Sequence, residues 1–249
     1  MKKIILIVLI SVFISQVCFA GEYVLVKGKG CEVCEAYGKN LNSFNPGNLY
    51  NMACERKINP KFTDLKKPEW EEMDLQNNVE LLKKIELFLD NFDVTSDNLE
   101  GWEEYIKSRI KDKYVSIKLS QLYILNDGTV NDVVKYAEEG CTSGKHYGAL
   151  LLVLNDDLND INIVKSKPLM QNSRYMKNGP LSEGWEYSMY DVFIYKNKTY
   201  FDRWSADQWP LDKAGKNKIK LLKVFVIETD KASNASVKEI CRYKFRSSK

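Results

Sequence analysis

The chain has 249 residues, 44% hydrophobic, 29% charged and 12% aromatic, with 13 Gly and 6 Pro, which excludes disordered, collagen-like and low-complexity architectures. Its 37 basic and 34 acidic side chains give a net charge of +3. They are interspersed, so no basic face for a nucleic-acid backbone is expected.

The first twenty residues have three parts. Lys2 and Lys3 form a basic start, Ile4 to Ile14 is almost wholly apolar, and Val17, Cys18, Phe19 and Ala20 precede a polar stretch. That order is the pattern of a secretory signal peptide. Cleavage is expected after Ala20, giving a periplasmic or secreted protein. The apolar run is shorter than the roughly 20 residues that span a bilayer, so no stable membrane span is expected after cleavage. Loss of the leader leaves a net charge of +1 and five cysteines, at 31, 34, 54, 141 and 241. In an oxidising compartment these are expected to form disulfides, with one thiol over, and sequence alone does not select the connectivity. Keeping each bridge within one region favours Cys34 with Cys54 and Cys141 with Cys241, leaving Cys31 spare.

Tyr23 to Val26 is an apolar run. Cys31, Cys34, Tyr37, Leu41 and Phe44 then recur at spacings of three and four, a helix face turned to the core. A looped stretch follows, broken by Pro46, Gly47, Pro60 and Pro68, with Cys54 as its expected anchor. Leu75 to Phe92 is an amphipathic helix with Val79, Leu82, Ile85 and Leu89 on one face. Ser96 opens a further helix whose stripe is Leu99, Trp102, Ile106 and Ile110, with Asp97, Glu100, Glu103 and Glu104 near its positive end.

Beyond Lys113 the period becomes two. Val115, Ile117 and Leu119 alternate with Ser116, Lys118 and Ser120, and the strand meets a turn at Asn126-Asp127-Gly128. Val130 to Tyr136 reads as its partner, Tyr147 to Leu154 as a buried strand, and Ile161 to Val164 as a short one. Tyr190 to Tyr195 and Thr199 to Trp204 form a hairpin about Lys196 and Asn197. Ile219 to Glu228 and Val237 to Phe245 close the chain as a pair.

The expected fold class is α+β. A leader (1–20) precedes a helical, cysteine-containing region (21–112), whose helices and disulfide-anchored loop cover one face of a mainly antiparallel C-terminal sheet (113–249), the two regions forming one compact unit. The longest unpatterned stretch is Lys165 to Gly184, and loops of that length are often functional.

Cys31-Glu-Val-Cys34 follows an apolar run and opens a helix. It resembles the redox motif of thioredoxin-like proteins, which would imply a thiol-disulfide oxidoreductase using Cys31 and Cys34. The phrases Val33-Cys-Glu-Ala-Tyr37, Ala53-Cys-Glu-Arg56 and Pro68-Glu-Trp-Glu71 resemble uncharacterised exported bacterial proteins. That resemblance implies only that Cys34 and Cys54 share a structural unit with Arg56 and Trp70.

Other chemistries find less support. His146 is the sole histidine, whereas a Ser or Cys nucleophile normally needs a positioned base. Gly140 to Lys145 lacks the spacing of a phosphate loop. Zinc would have to join Cys31 and Cys34 to Cys54 and His146 without a second close pair. Asn126-Asp127-Gly128 with Asp132 departs from a calcium loop at its first ligand positions, so a plain turn is favoured. Glu69, Glu71, Glu72 and Asp74 supply acids, with nothing to mark two of them as a catalytic pair. No catalytic, cofactor-binding or metal-binding set is therefore expected.

Nine aromatic residues lie between Trp185 and Trp209. Trp185, Tyr187, Trp204 and Trp209, beside the long loop, form the expected binding surface, since flat rings give large contact area at low entropic cost. The expected role is that of an exported binding protein for a protein or glycan ligand, without a nucleic-acid partner or a cofactor. The alternatives are the oxidoreductase, and an inhibitor or immunity-type partner of a secreted hydrolase.

Overall fold

A computed structural model describes residues 21–44, 57–90, 99–113, 115–138, 150–170, 187–206, 219–230 and 235–247. Residues 1–20, Cys54, Cys141 and His146 lie outside them. In chain order the elements are β1 (Gly21–Lys27), α1 (Glu32–Asn42), β2 (Leu65–Lys66), β3 (Glu71–Glu72), α2 (Val79–Asp90), α3 (Leu99–Lys111) and β4 (Val115–Leu122). There follow β5 (Asn131–Glu138), β6 (Leu150–Val153), α4 (Ile163–Met170), β7 (Tyr187–Tyr195), β8 (Lys198–Ala206), β9 (Ile219–Thr229) and β10 (Ala235–Ser247). The fold is α+β, and the strands described pair antiparallel.

The strands form two sheets, one of six in the order β1-β10-β9-β8-β7-β2 and one of four in the order β3-β4-β5-β6. Because successive strand residues point to opposite faces, the alternation along each strand fixes the layers. In β7, Phe193 and Tyr195 pack with Tyr37 and Leu41 of α1, while Val192 packs with Leu122, Val133 and Leu151 of the smaller sheet. In β6, Leu150 and Leu152 meet Leu82 and Ile85 of α2 and Ile106 of α3, while Leu151 and Val153 face the larger sheet. The layers therefore run helix, six-stranded sheet, four-stranded sheet, helices.

This arrangement corrects one expectation. α1 and the pair α2–α3 cover opposite outer faces of two sheets instead of one face of a single sheet. The first region also contributes β1, which pairs with β10 from Gly21↔Ser247 to Lys27↔Arg242. The two ends of the described chain thus share one sheet, and β3 to β6 with α2 and α3 form a second lobe between them.

The disulfide differs as well. Cys34 of α1 is bonded to Cys241 of β10, with Cα atoms 5.5 Å apart, in place of the expected Cys34–Cys54 and Cys141–Cys241 pairs. The cause is the seat of α1 on β10, where the Tyr243 hydroxyl donates to the Cys34 carbonyl at 2.5 Å. Cys31 carries a free thiol.

The strand expected over Ile161 to Val164 is one bridge, Leu154↔Ile161, followed by α4. Asn162 caps that helix: its side chain accepts the Lys165 N–H at 3.1 Å and its carbonyl accepts the Ser166 N–H at 2.9 Å. A cap of this kind outweighs the weak strand preference of a short β-branched run. Among the described residues no helix is long and apolar enough to cross a membrane.

Beneath α2 and α3 lies a charged network. Glu86 and Arg109 are 2% and 8% exposed. Arg109 donates from Nε to Glu86 Oε1 at 3.1 Å, and the Tyr136 hydroxyl donates to the same oxygen at 2.7 Å. Removing one partner of a buried ion pair strands the other charge, at about 3–5 kcal/mol, whereas replacing both by apolar groups is often near neutral. Arg109→Met is accordingly expected to lower stability by about 3–5 kcal/mol in urea denaturation at pH 7, and Glu86→Leu/Arg109→Met to recover most of that loss.

Candidate functional site

The site begins at a fault in the larger sheet. The β8–β9 ladder runs from Ala206↔Ile219 to Phe201↔Phe225 and stops there, although β8 starts at Lys198 and β9 continues to Thr229. The side chain of Asn126, from the β4–β5 connection, occupies the gap. Its Nδ2 donates to the carbonyls of Thr199 at 3.1 Å and Ile227 at 3.2 Å, and its Oδ1 accepts the Thr199 N–H at 3.2 Å. The carboxamide thus replaces a rung of the ladder. Asn suits the position because its φ is +52°, a left-handed conformation that Asn tolerates better than most residues. The Thr229 hydroxyl adds a bond to the Leu125 carbonyl at 3.0 Å, so the smaller sheet's turn is fastened into the open end of the larger sheet.

Two clefts flank this junction, one on each face of the larger sheet. The first, about 470 Å³, lies between the start of α1, β8 and the β9–β10 end, and its walls include Cys31, Val33, Lys198, Tyr200, Glu228 and Ile240. The second, about 510 Å³, lies towards the smaller sheet and is walled by Gln121, Leu122, Tyr123, Ile194, Asn197 and Thr199. Both adjoin the β7–β8 turn, where Lys196 and Asn197 have φ of +46° and +64°, as a two-residue hairpin of type I′ requires. Lys196 pairs with Glu32 of α1 at 2.7 Å. That exposed pair raises the Lys196 pKa and lowers that of Glu32 through the hydrogen bond and the charge of the partner.

The thiol of Cys31 reaches this cleft through a tight turn. The Cys31 N–H bonds the Gly28 carbonyl at 3.1 Å, and the Cys31 carbonyl accepts the Glu35 N–H at 3.0 Å, making Cys31 the N-cap of α1. Gly28 has φ of +94°, and a Cβ there would lie 2.6 Å from Cys34 Sγ, so the turn passes over the disulfide at a distance only glycine permits. Burial pushes the Tyr200 phenol up, with further contributions from nearby Cys31 and Tyr195.

Of the expected surface residues, Trp204 is corrected: it is 1% exposed and packs with Leu222 beneath α1. The hairpin is apolar on both faces because both are covered, one by α1 and one by the smaller sheet. Tyr187 lies on β7 opposite Ala206, with its side chain outside the described residues, as are Trp185 and Trp209. Lys165 to Met170 of the long loop belong to α4, and 171–184 lie outside. Glu69, Glu71, Glu72 and Asp74 are exposed, and Asp74 accepts the Gln76 N–H ahead of α2. The turn at Asp127 is closed by Thr129, whose N–H and hydroxyl both donate to Asp127 Oδ1. Among the described residues no group of three or more His, Cys, Asp or Glu is placed to hold a metal ion, and Cys34 is held in the disulfide.

Comparison with protein-family models, with curated proteins and with solved structures finds no match to this chain.

Asn126→Ala removes three hydrogen bonds and places alanine at positive φ. At roughly 1 kcal/mol per bond plus backbone strain, it is expected to cost about 2–4 kcal/mol and to speed amide exchange at Thr199, read by hydrogen–deuterium exchange. The buried phenols predict an alkaline weakness. Burial raises the pKa of Tyr23 and Tyr243 in the folded state, so their contribution is complete below about pH 10 and is lost as pH rises and the unfolded chain ionises first. The urea midpoint is expected to fall between about pH 9.5 and 11.5, and to fall less steeply in Tyr243→Phe.

Proposed function

We propose that the chain is an exported, disulfide-stabilised binding protein that takes a neutral polar ligand, a glycan first, into the clefts beside the β7–β8 turn. The observation that carries this reading is the pair of clefts held open where Asn126 parts β8 from β9. The second cleft combines amide and hydroxyl groups of Gln121, Asn197 and Thr199 with apolar side chains and with Tyr123, which is 45% exposed, and the first sets the Tyr200 hydroxyl beside Lys198 and Glu228. In the second cleft, an exposed ring beside uncharged hydrogen-bonding groups suits a sugar face and its hydroxyls. Export is supported by the leader pattern and by a disulfide, since such bonds persist in oxidising compartments.

The oxidoreductase alternative has less support, because Cys34 is bonded to Cys241 and Cys31 carries the free thiol. The inhibitor alternative has no feature of its own in the fold and becomes an outcome of the test. Tyr123 and Gln121 are exposed, so substitution there leaves the core intact. Tyr123→Ala and Gln121→Ala are expected to weaken capture of oligosaccharides on a glycan array by about tenfold or more, with the melting temperature unchanged. Unaltered capture would refute the site, and a discrete protein band from envelope extract without glycan capture would favour the inhibitor.

A further inference from the structure

Cys34 has two cysteines within bonding reach, and only one is bonded to it. Cys241 stands across the layer at a Cα separation of 5.5 Å. Cys31 stands one turn back on the same helix, as N-cap to residue three. Helical rise and radius place such Cα atoms about 5 Å apart, inside the window that a disulfide accepts. Cys31 packs against the cluster that holds Cys34 and Cys241, yet it is half-exposed and faces the open first cleft beside Ile240, the neighbour of Cys241. A free, reachable thiol thus lies next to a bridge that ties α1 to β10.

We propose that Cys31, Cys34 and Cys241 form an internal disulfide-exchange switch. The Cys31 thiolate attacks Cys34 Sγ, the Cys34–Cys241 bond breaks, and Cys241 leaves as a thiolate that takes up the proton Cys31 gave to solvent. One disulfide and one thiol stand on each side, so the step needs neither oxidant nor reductant. The product bridge closes a single turn within α1 and ties it to nothing else. α1 is then held to the larger sheet by packing and by hydrogen bonds such as Tyr37 to Asp202 and Asn42 to Tyr23. Cys31 and Val33 wall the first cleft from α1, and Ile240 walls it from β10, so releasing the tether loosens that cleft. This coupling rests on the binding reading above, and the exchange itself does not.

The test is disulfide mapping by peptide mass spectrometry of the full chain, incubated at pH 8 and quenched in acid. A Cys31–Cys34 peptide pair is expected to appear beside Cys34–Cys241 within the incubation. Cys31→Ser is expected to retain Cys34–Cys241 alone. Cys241→Ser, checked for native near-ultraviolet dichroism, is expected to form Cys31–Cys34 in oxidised glutathione; if it does not fold, the wild-type map decides. Cys34–Cys241 alone after a day at pH 8, or Cys31 paired with any other cysteine, would overturn the switch. Glycan capture measured on the same samples reads the cleft separately, so failure of one leaves the other standing.

Discussion

Cys34 and Cys241 are 207 positions apart, and their bond joins the first helix to the last strand. In the chain-entropy view a crosslink of that span removes about 5 kcal/mol of freedom from the unfolded chain, and native bridges typically measure about 2–5 kcal/mol. Its position matters as much as its strength. β1 pairs with β10 only because the chain's beginning is delivered to its end, and long-range pairing of this kind is entropically costly to initiate. With α1 pinned at Cys241, Tyr37 comes to stack on Phe193 at 4.4 Å, and its hydroxyl reaches Asp202 at 2.5 Å. The aromatic core under α1 is then complete, and the hairpin β7–β8 acquires one buried face.

Its other face is buried by the smaller sheet. Two stacked sheets meeting through apolar side chains have little to prevent sliding, because apolar contact is non-directional. Directional bonds supply what the apolar layer lacks. Lys135 of β5 pairs with Asp191 of β7 across the two sheets, and the Asn126 carboxamide enters the ladder between β8 and β9. Each removes a polar group from water and returns it a partner, and each fixes which residues of one sheet lie over the other.

Local structure was legible in the sequence because its signals are local. The spacing of Val79, Leu82 and Ile85 marked α2, the alternation from Val115 marked β4, and Lys196-Asn197 marked the hairpin turn. The partition into two sheets was not legible. Val133 and Val134, or Leu151 and Leu152, are indistinguishable as apolar residues, yet they belong to different cores. A continuous apolar run says that a strand is buried on both sides without saying by what. The cysteine pairing failed for the same reason, since keeping bridges within regions assumes that sequence neighbours are spatial neighbours. The first helix instead lies on the last strand.

The candidate site was legible only as a turn. Asn126-Asp127-Gly128 announces a reversal, and the Asp127–Thr129 bonds are what such a sequence makes for itself. Nothing nearby reveals that Asn126 bonds Thr199 and Ile227, 73 and 101 positions away. Phe193, Tyr195, Tyr200, Phe201 and Trp204 of the β7–β8 hairpin are buried. Trp204 is an interior residue of a strand covered on both faces, and a sharper signal stood beside it. Asp202 shares a strand face with Tyr200 and Trp204, and a buried acid at such a place needs a donor. Tyr37 on α1 is one such donor, and the first turn of that helix also carries Cys31 and Cys34. The same helix therefore covers the hairpin, anchors the disulfide and walls the first cleft, which is why a change at its first turn reaches all three.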